Sequence, residues 1–462
     1  MMNKGYADGE ALQAEVKRRH QAGTVWRALF LAATVVGIIA LIALLYNILN
    51  QTFGLVAVEN KIDPHSIILA LEEENRLGPA NDTESAPGLE LAGLPKETLV
   101  EILADHVSVG LGRRLENEQR FFADVLVFDE PERFAQVCAS DEPPAGCTLP
   151  PRSQDNVYGL VLERVIEPNV VMTWSLVDSL FNRREIMLTV QENYPEAILE
   201  FRSWLTPRFI STPQSSTPEF AGVRTAILGS LWVVAITILF SFPVGVGAAI
   251  YLEDYAHDNA LNRLIQTNIN NLAGVPSIIY GMLGLAIFVR SLEYLTSGAA
   301  FGTVDSATTA NGRTIISAGL TLGLLILPLI IINAQEAIRA VPGSLRQASY
   351  ALGATKWQTI WSHVLPNALP GILTGAILSV SRAIGETAPL VVVGASTFIT
   401  VDPNSPFAKF TVLPIQIYQW TSRPQAEFRH IAAAAIVVLV VLLLTLNATA
   451  VLLRNRYTRR LS

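Results

Sequence analysis

Two ionisable side chains stand out because they sit inside an apolar stretch. Arg382 and Glu386 are the only charges in segment 371–399 of this 462-residue chain. Four residues apart, they would share one face of a helix. A charge at the centre of a bilayer costs at least about 2.5–3.5 kcal/mol, so such groups usually face a polar pathway or a partner. The planar guanidinium of Arg382 offers a fork of donors matched to the oxygens of an anion. The same two side chains also suit a self-satisfied ion pair that locks a helix interface. Gly385 between them would let a neighbouring helix approach closely under either reading. Arg224 and Arg290 flank other apolar segments. They would attract anions there, or simply snorkel to the interface.

Elsewhere the chemistry is sparse. Both cysteines, Cys138 and Cys147, flank the loop-like string ASDEPPAG. In an oxidising compartment that proximity favours a disulfide. Segment 53–212 has no metal-ligand cluster, no nucleophile constellation and no phosphate loop, so neither a catalytic residue nor a metal is expected. The chain also has no G-x-x-x-x-G-K-[ST] string, so it cannot build that phosphate cradle.

The elements that must hold these residues follow from composition. Half of the chain is apolar and only 16% is charged, against about 25% in a soluble domain. Charge is also unevenly spread: 51–220 carries 28 acidic and 13 basic residues, while the remainder is net +8. An acidic, water-facing block is thus inserted into a basic, apolar protein. The bases are scattered at segment ends and form no patch, which argues against nucleic-acid binding.

Six apolar segments reach the roughly 20 residues that a spanning helix needs. They are 28–50, 225–252, 272–289, 315–332, 371–399 and 431–453. The first is too long for a signal peptide's apolar core, and no small-residue cleavage site follows it, so it reads as a retained anchor. Lys17, Arg18, Arg19 and Arg27 precede the first span, and Arg454, Arg456, Arg459 and Arg460 follow the last. The positive-inside rule then puts both tails, 1–27 and 454–462, in the cytoplasm, with 51–220 outside. The fold class expected is an all-α polytopic membrane protein carrying an inserted α+β domain. In that insert, 96–119 reads as helix and 121–128, 157–165 and 185–190 read as strands. Segments 79–88 and 211–218 read as linkers. A docking or spacer role suits the insert best.

Residues 347–366 read QASYALGATKWQTIWSHVLP, within an inner loop of 335–370. The string predicts a short amphipathic helix, a turn at Gly353, and a second helix stopped by Pro366. It resembles the EAA loop of ABC importer permeases, which docks into a soluble ATPase. Gln347 stands at the family's Glu position, Ala348 matches, and Ser349 replaces the second Ala. Gly353, Leu365 and Pro366 match in spacing, with Leu352 and Ala354 beside the turn, while His363 stands where Ile is usual. With Gln in place of that Glu, the resemblance implies the docking shape and not a specific salt bridge to the ATPase.

The strings GVRTAILGSLW (222–232), NLAGVPSIIYG (271–281), the stretch 325–359 and SRAIGETAPL (381–390) resemble the membrane subunits of phosphate importers. Gly-Glu-Thr-Ala-Pro is closer to the A-type permease than to its C-type partner. The resemblance covers 220–400 well, while the insert 51–220 lies outside the family's common pattern. It implies a type I importer permease in the bacterial inner membrane, moving inorganic phosphate. It implies a C-type permease partner, two cytoplasmic ATPase subunits that bind ATP and Mg, and a periplasmic phosphate-binding protein. Arg382, Glu386 and Thr387 would then line the substrate pathway. Glu386 would hold Arg382 in the empty site, repel more highly charged anions, or accept a proton from the substrate. Permeases for molybdate, sulfate or phosphonate share this fold. A sensor or scaffold working through 51–220 would be expected to lose both the loop and the charges in 371–399, and this chain keeps both.

Overall fold

The computed structural model describes residues 9–73, 91–96, 98–99, 102–103, 154–302, 311–395, 398–399 and 401–461. The chain divides into two compact units. One comprises Met1–Phe53, Trp204–Pro213 and Val223–Ser462, and the other comprises Gly54–Ser203 and Gln214–Gly222.

The first unit is helical. Among the described residues five helices are long and apolar enough to cross a membrane, and a bent pair makes a sixth if counted as one span. Helix α1 (Glu10–Thr52) overruns its apolar run at both ends. Helix α2 (Arg224–Ile250) and helix α3 (Ile315–Arg339) form the centre of the unit. They approach closely because α3 presents Gly319 and Gly323, one turn apart. A Cβ on either would lie 2.6 Å from Ile236 or Phe240 of α2. Small residues at helix spacing permit such contact where lipid supplies no hydrophobic drive. Thr237 Oγ1 adds a 3.0 Å hydrogen bond to the carbonyl of Gly319. Helix α4 (Leu365–Gly385) packs against α3, and the long helix α5 (Ala426–Leu461) packs against α4 and α1.

Two expected spans are broken. The hydropathy of 272–289 implies one helix, with the residues between it and 225–252 left outside the spans. Instead, helix α6 (Ala260–Ala273) bends by 107° into Ser277–Ser291. The cause is local: Pro276 has no amide hydrogen to donate and disfavours helical backbone at Val275. Beyond the bend run α7 (Ser277–Gly284) and a π-helical turn, Leu285–Ser291. Segment 371–399 is likewise not continuous. Helix α4 ends at Gly385, and a short helix α8 (Ala388–Val393) follows after Glu386 and Thr387.

The second unit contains a three-stranded sheet. Strand β1 (Phe53–Asn60) lies between β2 (Pro168–Thr173) and β3 (Ile198–Ser203). β1 and β2 are antiparallel, with Val56 opposite Thr173. Two expected strands are helices. Residues 157–165 form α9 (Gln154–Val161) and a π turn, Leu162–Ile166. Val157, Val161 and Val165 recur every four residues and bury one face against Ile67, Leu71, Leu99 and Ile102. Helical period outweighs β-branched content there. Residues 185–190 belong to α10 (Arg183–Asn193), whose Ile186 and Val190 pack on Leu55 and Ala57 of the sheet. The expected strand 121–128, the linker 79–88, most of 96–119, and Cys138 and Cys147 lie outside the described residues.

Candidate functional site: a charged helix break and a fastened surface turn

The segment between α3 and α4 starts with helix α11 (Gly343–Ala351). Gly353 follows with φ +82°, a left-handed conformation that glycine adopts without steric cost. Ala354 N–H closes the turn on the carbonyl of Ser349 at 3.2 Å. Thr355 and Gln358 then form a reciprocal capping box that starts helix α12 (Lys356–Thr359). Pro366 does not stop the second helix as expected. A π turn, Ile360–Val364, ends with Leu365 N–H on the carbonyl of Ile360, and α4 carries Pro366 in its first turn. Proline has no amide hydrogen to donate, and it falls directly after the π turn, where the hydrogen-bond ladder changes register.

The turn is fixed from within and apolar outside. The hydroxyls of Ser349 and Thr359, both buried, lie 2.9 Å apart. Gln347 and Ala348 are exposed. Leu352 is 89% exposed, and Tyr350, Trp357 and Trp361 are also open. Trp357 and Trp361 stack one turn apart at 5.5 Å. These aromatic residues were not singled out from the sequence, although Trp at i and i+4 on a polar loop was a readable signal. Local space around Gly353 is open, since a Cβ there would meet nothing within 4 Å.

Ion pairs that sequence spacing could not reveal fasten this segment and the last residue of α3 to the π turn Tyr251–Tyr255 that extends α2. Arg346 pairs with Asp254, whose side chain is only 6% exposed, and also donates to the carbonyl of Ile338 at 3.0 Å. Arg339 grips Glu253 with two bonds, 3.1 and 2.8 Å. Lys356 Nζ donates to the backbone oxygen of Asp254 at 3.3 Å.

Arg382 and Glu386 lie on either side of the end of α4. Arg382 Nε is 3.4 Å from Glu386 Oε1, and Arg382 is about half exposed while Glu386 is mostly covered. Glu386 is not helical as its spacing implied: it caps α4 with extended backbone, ψ 118°. Arg382 is 17 residues beyond Leu365, about 26 Å along the helix at the usual rise, so it stands near the end of α4 rather than its middle. Gly385, expected to admit a neighbouring helix, has no atom within 4 Å of where a Cβ would stand. The close approach occurs instead at Gly281 of α7, where a Cβ would lie 2.6 Å from Pro389 of α8. Tyr280, next to it, donates to the carbonyl of Leu272 at the other helix break at 2.8 Å. The segments that follow the two helix breaks therefore meet at Gly281 and Pro389. Thr387 occupies the gap between α4 and α8, half-buried. At the break the amide of Glu386 donates to the carbonyl of Ala383 at 3.2 Å, and the carbonyl of Thr387 accepts from the amide of Val391 at 3.1 Å.

Arg224 is engaged. It lies 2.9 Å from Asp402 and donates to the carbonyl of Ser211 at 2.7 Å, while Thr225 also donates to Asp402. Arg290 is exposed in the π turn after α7. Among the described residues no group of three or more His, Cys, Asp or Glu side chains could hold a metal ion.

Known proteins resemble this chain in sequence. The family described as "binding-protein-dependent transport system inner membrane component" matches residues 241–462. A probable ABC transporter permease protein of Bacillus subtilis is 32% identical over 260 residues, covering 53% of this chain and 83% of that protein. The phosphate transport system permease protein PstA 1 of Mycobacterium tuberculosis is 35% identical over 245 residues, covering 52% of this chain and 74% of its own length. The PstA protein of Haemophilus influenzae is 30% identical over 238 residues, with 51% and 76% covered.

Proposed function

This chain belongs to the family of binding-protein-dependent transport system inner membrane components, and from that premise we propose that it is the A-type membrane subunit of an ATP-driven phosphate importer. It is a multi-pass inner-membrane protein. The likeness to permeases named for phosphate transport carries the substrate reading. Arg382 supplies the chemistry: an accessible guanidinium beside a helix break can offer two parallel donors to a tetrahedral oxyanion. Glu386 holds the fork in place when no anion is bound and discourages multiply charged competitors. Thr387 contributes a hydroxyl in the gap.

The transport cycle follows from the fastened turn. The exposed face of Leu352, Trp357 and Trp361 docks on a cytoplasmic ATPase subunit. The Arg346–Asp254 and Arg339–Glu253 pairs pass its movement to the end of α2, and α3 passes it onward through the Gly319 and Gly323 contacts. A second permease of the C type completes the pathway, two ATPase copies bind ATP and Mg, and a periplasmic binding protein delivers phosphate. Both termini and Gly353 face the cytoplasm, and 51–220 faces the periplasm. In cells lacking other phosphate importers, this reading requires uptake of radiolabelled phosphate that excess sulfate, molybdate or phosphonate does not suppress. No phosphate uptake above background, with uptake of radiolabelled sulfate, molybdate or phosphonate in its place, would reassign the substrate.

A further inference from the structure

We propose that the corner between two helices of the second unit rests in the headgroup layer of the bilayer that α1 crosses. Helix α13 (Leu176–Phe181) and α10 meet at Asn182, which ends the first and precedes the second. The corner presents Leu180 at 66% exposure and Phe181 at 82%, followed on α10 by Met187 and Leu188, both open. Arg183 and Arg184 lie between them, exposed, and neither forms an ion pair with another described residue.

This exposure does not come from a poorly packed helix. Ser179, Ile186 and Val190 on the opposite side are buried, and the last two pack on Leu55 and Ala57. The corner is therefore held with its apolar and cationic side chains outward. A bilayer surface matches both: rings and alkyl chains enter the acyl boundary, and arginines snorkel to anionic headgroups.

Chain connectivity decides between a bilayer and a protein partner. β1 starts at Phe53, the residue after the last of α1, with no linker between them. At most about 3.5 Å per residue, Gly54 lies within roughly 14 Å of Asn50, where the apolar run ends. α13 is fastened to that same end of β1. Leu55 N–H donates to Ser179 Oγ at 2.7 Å, and Trp174 N–H donates to the carbonyl of Leu55 at 2.9 Å. A Cβ on Gly54 would lie 1.9 Å from the carbonyl oxygen of Trp174, so backbone meets backbone there. The exposed corner is thus tied to the first residues that leave the spanning helix. A soluble protein with an acidic surface would satisfy the arginines but would leave Leu180 and Phe181 in water, whereas the acyl boundary and its headgroups take both kinds of side chain.

The test is photocrosslinking in the full chain within native membranes, with p-benzoylphenylalanine replacing Phe181. The control is the same substitution at Lys61, an exposed residue just past the other end of β1. Lipid adducts at 181, detected by mass spectrometry, should exceed those at 61 at least about fivefold. If the 181 variant fails to accumulate, Leu188 takes its place. In nanodiscs, Arg183→Glu with Arg184→Glu should lower the adduct yield at least about twofold with anionic lipid and leave it unchanged with zwitterionic lipid. Equal adduct yields at 181 and 61, or crosslinks predominantly to another protein, would overturn the proposal. An adduct yield indifferent to the double charge reversal would do the same for its electrostatic half.

Discussion

Arg382 and Glu386 form an ion pair, 3.4 Å apart, across the end of a helix rather than along one. The guanidinium is carried by the last turn of α4 and the carboxylate by the unwound residue after it. If this cation binds the transported anion, Arg382→Lys should lower phosphate uptake at least about tenfold, because an ammonium cannot make two parallel bonds. One lost charge-assisted bond is worth about 1.5 kcal/mol or more. Arg382→Gln should nearly abolish uptake. Arg382→Gln combined with Glu386→Gln should restore assembly but not transport. Robust uptake by the double variant, normalised to assembled complex, would make the pair purely structural.

Gly353→Asp should insert normally and yet uncouple ATP hydrolysis from transport. The φ of +82° strains any L side chain, and the open space around the turn is where a partner must approach. Phosphate-stimulated ATPase activity in the reconstituted complex is the measurement. Wild-type stimulation in this variant would dismiss the docking assignment.

Removing the carboxylate of Asp254 should be worse than removing the pair. Asp254→Ala leaves Arg346 half-buried without its partner, a loss on the order of 1–3 kcal/mol. Thermal unfolding in detergent should show a lowered midpoint for Asp254→Ala. Arg346→Leu with Asp254→Leu should recover much of that stability while transport stays impaired, because the fastening to α2 is gone. Full transport in the leucine pair would show that the link transmits nothing.

Cys138 and Cys147 should form a disulfide closing a short loop, worth on the order of 2–3 kcal/mol in the chain-entropy picture. Mass spectrometry of the non-reduced protein should find the bridged peptide. Two alkylatable thiols in unreduced protein would refute the pairing.

An impermeant thiol reagent applied to intact spheroplasts should label a cysteine placed at position 90 and spare one placed at 353. The reverse pattern would invert the topology drawn from the Lys and Arg bias.

The sequence by itself determined what depends on neighbours along the chain. Uncharged runs at 28–50 and 431–453 lie within α1 and α5, because a spanning helix needs only composition and length. The turn at Gly353 was readable because its positive φ is a property of one residue. The bend before Pro276 was also locally encoded, yet hydropathy averages over it and reports one span. Strand-like composition misled at 157–165, although Val157, Val161 and Val165 carry the four-residue period of the face that packs on Ile67, Leu99 and Ile102. Only the tertiary structure gave Arg224 its Asp402, Arg346 its Asp254, and Gly281 its contact with Pro389. Partners separated by tens to hundreds of residues leave no period in the sequence. Their pairing is decided by which helices pack together, and packing depends on shape complementarity over the whole unit rather than on any local string.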